Sequence, residues 1–236
     1  ARQGTLTRYM NNRFTFIKNY KKFIPSPDHL AIDKSDAESV AEQQDEERAF
    51  FTTALNALAP KNHFVLIDTP GTDNFLSRLA HSHADTLITP LNDSFVDLDL
   101  LADIDMTTFQ IKGHSVYTKM VHDQRAQKKL RDGGDINWIV MRNRLSHINA
   151  KNKLQVGALL ERVSQFAGFT IAPGFGERVV FRELFLKGLT LLDLKNDAKT
   201  PMTMSQISAR QEVRQLIMAL NPEKLKGRVS PLRKKA

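Results

Sequence analysis

Apolar positions along this chain alternate between two periods, and the alternation predicts an α/β protein. Leu6, Tyr9, Met10, Phe14, Ile17 and Phe23 fall mostly at helical spacing over 5–23, with basic residues between them, until Pro25 and Pro27 end the run. Residues 29–32 read as a short strand, and Ser35 and Asp36 open an acidic stretch that passes into a helix over 46–58, stopped by Pro60. An apolar strand is predicted at 64–67, a helix at 74–81 and a buried strand at 86–90. Helical character follows at 97–104, then a very basic helix at 117–130 closed by Gly133-Gly134. Residues 136–141 are a strand, 154–167 an amphipathic helix, 169–172 a strand ended by Pro173-Gly174, and 179–186 and 206–220 helices. Buried strands alternating with helices mean a mostly parallel sheet with helices on both faces. No internal repeat interrupts this order, and one domain over 1–220 is the simplest division. Phe14, Phe16, Phe50, Phe51 and Phe166 are expected in the core.

Composition adds a tail and little else. The chain has 236 residues and no cysteine, which removes disulfides and thiolate metal sites, and no apolar run approaches the roughly 20 residues that span a bilayer. The net charge of +8 favours an acidic partner. It is concentrated at the end, where Lys224, Lys226, Arg228, Arg233, Lys234 and Lys235 stand against Glu223 alone. Residues 221–236 are expected to be a disordered basic tail, leaving the rest only mildly basic.

In a parallel sheet, ligands bind beyond the carboxyl ends of the strands, so the residues after each strand are the candidates. Asp68, Thr69, Pro70 and Gly71 follow the 64–67 strand, as in phosphate-binding NTPases that place a magnesium-facing carboxylate there. Asp68 would hold Mg²⁺ directly or through water, and the Gly71 amide would sense a γ-phosphate as a switch; the alternative is an Asp that caps the next helix. The partner motif G-x-x-x-x-G-K-[ST] occurs nowhere in the 236 residues. Asn92, Asp93 and Ser94 are cap or site residues in equal measure. Asn143, between Arg142 and Arg144, could pair with a purine edge, with a solvated loop as the alternative. Basic residues gather at 119–131, again at 142–153 with Lys151 and Lys153, and at Arg178 and Arg182. On one shared surface they would contact phosphates; otherwise they are solvated faces. His81-Ser82-His83 could suggest a metal, but residues two apart point to different sides of a helix.

Several segments give the chain a family resemblance. These are Ala1 to Tyr9 with Asn12-Arg13, Asp68-Thr69-Pro70-Gly71, Arg78 to His81, the Asn92-Asp93-Ser94-Phe95-Val96-Asp97 run, Trp138 to Leu145, and Arg178 through Leu192. The chain resembles the MipZ family, division-plane positioning ATPases of the ParA/MinD group in alphaproteobacteria, from residue 1 to about residue 220. The resemblance implies a P-loop NTPase fold, here expected to lack its first strand, its phosphate loop and its second strand, as in a chain shortened by roughly 40 residues at its front end. It implies ATP and Mg²⁺ as cofactors and a homodimer that sandwiches two ATP molecules and holds chromosomal DNA. A ParB-like centromere-binding protein recruits the monomer, and the dimer inhibits FtsZ assembly, in a cytoplasmic, nucleoid-associated cycle. Carried onto this chain, Asp68 serves the magnesium, Thr69 to Gly71 form the switch, and Asn143 with Arg142 meets the adenine. Arg144, Lys151, Lys153, Arg178 and Arg182 are candidates for DNA. Without a phosphate loop, the chain alone is expected not to hydrolyse ATP. Two rivals stand beside this reading: a nucleotide-independent DNA- or partner-binding module, and a metabolic ATP-dependent ligase on the same fold.

Overall fold

The computed structural model describes residues 4–92, 94–145, 150–194 and 201–220, with the side chains of 150–153 outside that description. Two compact units emerge, one built on Ala1–Ala80 and Val180–Met202, the other on His81–Val179 and Thr203–Leu220. The order of elements is α1 (Thr5–Tyr20), α2 (Val40–Leu58), α3 (Phe75–His83), β1 (Thr86–Asn92), α4 (Phe95–Leu98), β2 (Ala102–Asp105), β3 (Gln110–His114), α5 (Val116–Asp132), β4 (Asn137–Asn143), α6 (Ala150–Ala167), β5 (Thr170–Ala172), α7 (Val179–Leu186) and α8 (Met204–Ala219).

In the first unit, α1 buries Met10 and Arg13 on one face. Burying a guanidinium is tolerable only if its donors are met, and here every nitrogen is. Arg13 Nη1 donates to Asp193 Oδ2 and to the Gly188 carbonyl, both at 2.8 Å, and Nη2 to Asp193 Oδ1 at 3.0 Å. Nη2 and Nε also donate to the Pro25 carbonyl, and Nε to Ser26 Oγ. One side chain thus ties α1 to the segment after it and to residues 188–193. The close approach requires glycine at 188: its φ is +61°, and a β-carbon there would overlap the Arg13 backbone. Ser39 caps α2, its Oγ accepting the Glu42 N–H, and Phe51 on the buried stripe packs against Leu79 and Ala80.

Two expected strands are absent from this unit. Residues 29–32 and 64–70 carry no strand ladder. Phe64 and Leu66 are 59% and 81% exposed, and Ile67 is also exposed. Apolar composition predicts burial, but a strand needs a neighbour to take up its N–H and C=O groups. No described segment pairs with this one. The expected aromatic core also shrinks: Phe51 is buried, whereas Phe14, Phe50 and Phe166 lie on outward helix faces and are roughly half exposed.

The second unit is built on a parallel sheet of order β1-β4-β5, in register from Thr86↔Asn137 to Asn92↔Asn143 and from Ile139↔Thr170 to Met141↔Ala172. Alternate residues of β4 face opposite sides. Trp138 and Val140 join α5 and α6 residues such as Val121, Leu160 and Val163 in the main core, and Ile139 and Met141 meet Leu216 and Ala219 of α8. The α/β class and the parallel sheet covered on both faces are therefore as expected. Pro90 lies inside β1, which extends past the expected exit; β1 is an edge strand of the described sheet, where a missing donor is tolerated. A buried polar chain links the layers: Trp138 Nε1 donates to Thr89 Oγ1 at 3.0 Å, and Thr89 Oγ1 lies 2.8 Å from the Tyr117 hydroxyl.

The helix expected over 97–104 is corrected. Only α4 is helical there, capped by Ser94, and the chain then forms an antiparallel hairpin of β2 and β3. Asp105 accepts the Thr107 and Thr108 N–H groups, and Phe109 takes φ +54°, which turns the chain back.

Candidate functional site

In the second unit, the carboxyl ends of β4 and β5 are held together beyond their ladder. Phe175 N–H donates to the Arg142 carbonyl at 2.9 Å, Leu145 N–H to the Phe175 carbonyl at 2.9 Å, and Glu177 N–H to the Leu145 carbonyl at 3.2 Å. The two post-strand loops are thereby fixed side by side. Gly174 permits the approach, since a β-carbon there would overlap the Arg142 carbonyl oxygen. Arg144 adopts φ +53°, a left-handed conformation uncommon outside glycine, so the turn after β4 is a constrained one.

Arg142 and Asn143 are adjacent in β4 and so project to opposite faces of the sheet. Arg142 is on the Trp138 and Val140 side and lines a cleft of about 530 Å³ with Leu145, Gly157, Glu161, Ile171 and Pro173. Its guanidinium lies over Gly157 of α6, where a β-carbon would sit 3.4 Å from Nη1. Asn143 shares the Ile139 and Met141 side and is half-buried. The structure brings Arg142, on β4, beside the post-β5 loop that carries Arg178 but commits Arg178 elsewhere: its Nη2 donates to Glu212 Oε1 at 2.6 Å and its Nε to Glu212 Oε2 at 3.3 Å. Glu212 Oε2 also accepts the Gly176 N–H, so this pair anchors the post-β5 loop on α8. Hydrogen bonding to Glu212 raises the Arg178 pKa further, with burial opposing it. Sequence reasoning misses the roles of Glu212 and Gly174; the Pro173-Gly174 turn is the signal available for the second.

The basic helix α5 is largely neutralised from within its unit. Arg125 pairs with Asp135 at 3.1 Å, Lys128 with Asp85 at 3.3 Å and Asp132 at 3.5 Å, and Arg131 with Asp132 at 2.7 Å. The Asp132 carboxyl is drawn down to about 2, chiefly by the Arg131 hydrogen bond. Lys151 and Lys153 fall on side chains outside the description, and Asp93 lies outside the described residues.

Asp68, Thr69, Pro70 and Gly71 belong to the first unit, as does Arg182, which is exposed on α7. Asp68 is exposed on the extended segment without a ladder. It does not cap α3: Asn74 Oδ1 accepts the Ser77 N–H at 3.0 Å and takes that role. Among the described residues no group of three His, Cys, Asp or Glu could hold a metal ion. His81 is buried, with Nδ1 3.4 Å from the Met120 sulfur.

The fit to ATP and Mg²⁺ is partial. A lone exposed carboxylate suits Mg²⁺ only where phosphate and water oxygens complete its octahedron. The sequence has no G-x-x-x-x-G-K-[ST] loop, whose backbone N–H groups would cradle those phosphates. The residues present fit one protein ligand of the metal and not the phosphates.

Among the described residues no helix is long and apolar enough to cross a membrane. In comparison with known proteins, residues 1–224 match the family model described as ATPase MipZ. No curated protein matches the chain.

Proposed function

Because the chain belongs to the MipZ ATPase family, matched over residues 1–224, we propose that it serves as an ATP-operated spatial regulator of cell division. A ParB-like protein collects the monomer, an ATP-bound homodimer holds non-specific chromosomal DNA and inhibits FtsZ assembly, and hydrolysis returns the dimer to monomers. The single observation that carries this reading is the family match over nearly the whole chain. The same match leaves the metabolic ligase reading without support. In the proposed cycle Asp68 is the protein ligand of Mg²⁺, Thr69 to Gly71 form the switch, and Arg142 or Asn143 meets the adenine. Since these two project to opposite faces of β4, we assign the base to one of them only. Arg144 and Arg182 are the DNA candidates among the described side chains; Arg178 is already bound to Glu212 and is assigned to holding the loop.

Depleting the protein from its native cells and mapping constriction sites tests the proposal. Misplaced or polar constrictions are expected, and a normal distribution of division planes would overturn it. The partial fit to ATP gives a second expectation. The 236-residue chain, assayed alone with ATP and Mg²⁺, should show no phosphate release that disappears in Asp68→Ala, because its sequence carries no G-x-x-x-x-G-K-[ST] loop to grip the phosphates. Hydrolysis lost on that substitution would contradict it.

A further inference from the structure

We propose that the outward face of α1 is a binding surface for the phosphate backbone of duplex nucleic acid. This deepens the DNA-holding part of the function above and rests on it. Arg8, Asn11, Thr15 and Lys18 recur at spacings of three and four residues, which places them on one stripe of the helix. All are exposed, as are Lys21 and Lys22 just past the helix end. From Arg8 to Lys18 the stripe runs about 15 Å at 1.5 Å per residue, roughly the length of four base-pair steps. Arg, Lys and Asn side chains donate to phosphate oxygens, while the Thr15 hydroxyl donates back to the Asn11 carbonyl at 2.9 Å and adds a small polar surface between them.

The charge of this face is uncompensated, in contrast to α5. Among the described residues Arg8, Lys18, Lys21 and Lys22 make no ion pair with a carboxylate. No Asp or Glu occurs in the sequence before Asp28. The opposite face is fixed by the Arg13–Asp193 pair, and one flank of the stripe by Asn12, whose Nδ2 donates to the Phe185 carbonyl. The stripe is therefore displayed on a rigidly held helix, which lowers the ordering cost of binding. An anionic lipid surface would share the charge preference but needs apolar residues on the docking face. The middle of this stripe is the polar pair Asn11 and Thr15, with the exposed apolar Phe14 on its flank, so nucleic acid is the better match and the vesicle arm of the test separates the two.

The test is fluorescence anisotropy of the full chain with a short duplex of arbitrary sequence, titrated over a range of salt. The triple variant Arg8→Ala/Lys18→Ala/Lys22→Ala should bind roughly tenfold more weakly or worse. Its plot of log K against log salt should be shallower by about 2 to 3, near 0.9 for each phosphate no longer neutralised. Arg144→Ala, in parallel, should reduce the slope by about 1 if the surface named by family resemblance also contributes. Wild-type binding with a slope that the triple variant leaves unchanged would overturn the α1 surface alone. Absence of any duplex binding by the wild type in this ATP-free titration would also overturn the α1 surface, while the DNA-holding reading, which belongs to the ATP-bound dimer, stands or falls with the mapping of constriction sites. Binding to phosphatidylserine vesicles without duplex binding would overturn the nucleic-acid assignment of α1 in favour of lipid. All three substituted side chains are exposed, and an unchanged circular-dichroism melt confirms the fold.

Discussion

Arg13→Ala is expected to destabilise the first unit by about 3–5 kcal/mol, because it strands the Asp193 carboxylate in a site built for a charge pair. The two side chains are only 5% and 9% exposed, so solvent cannot compensate the loss. Amide hydrogen exchange in α1 is the suitable readout, since a chain of two compact units need not unfold in one step. The double variant Arg13→Ala/Asp193→Ala should recover part of the loss, as expected of a directly coupled pair. The same pair sets an acid limit. Burial pushes the Asp193 carboxyl up, but hydrogen bonds from Arg13 and Thr190 outweigh it and hold the group below the usual carboxylate range. A group depressed in the folded state contributes fully above its unfolded value of about 3.9, and the contribution is lost as pH falls through the folded value. Protection of α1 should thus be flat through neutral pH and fail below about pH 4. Protection unchanged in Arg13→Ala would show that the cluster does not hold the helix.

Thr89→Val should cost about 2–4 kcal/mol, although it preserves shape. The substitution leaves the buried Trp138 indole N–H without its acceptor and the part-buried Tyr117 hydroxyl without its partner, at about 1–3 kcal/mol for the first and less for the second. Thr89→Ser keeps the hydroxyl and should cost only about 1 kcal/mol for the lost methyl. Trp138 is the chain's single tryptophan, so urea unfolding followed by its fluorescence reports on this network directly. Equal stabilities for the valine and serine variants would mean that packing, not the hydrogen-bonded chain, holds β1 to β4.

The second unit was legible in the sequence wherever an apolar run coincided with a partner. Trp138, Val140 and Ile139 announce a strand buried on both faces, and the Gly133 turn closes α5 as its left-handed φ of 72° requires. The β2–β3 hairpin was not legible as a strand pair because Ala102 to Asp105 is too short for its period to compete with helical spacing. Its signals were the alternation of buried Ala102 and Ile104 with Asp103 and Asp105, and the Asp-x-Thr-Thr turn. The segment at 64–67 failed for the opposite reason: its composition is that of a strand, but pairing depends on another segment and is not written in its own residues. The burial of Arg13 was hidden because nothing local distinguishes a guanidinium with six hydrogen bonds from a solvated one. At the candidate site, the family resemblance and their place at the end of a strand made Arg142 and Asn143 candidates. Only the strand's alternation separated them onto two faces, and only the fold revealed that Glu212 occupies Arg178.

The exposed run of Phe64, Leu66 and Ile67 has a colloidal consequence. An extended apolar segment with unsatisfied backbone is a template on which a second chain can add edge to edge. The net charge of +8 opposes such addition through a repulsion that shrinks with the Debye length. Rising ionic strength is therefore expected to act twice in the same direction, loosening the proposed hold on a phosphate backbone while bringing copies of the chain within reach of one another.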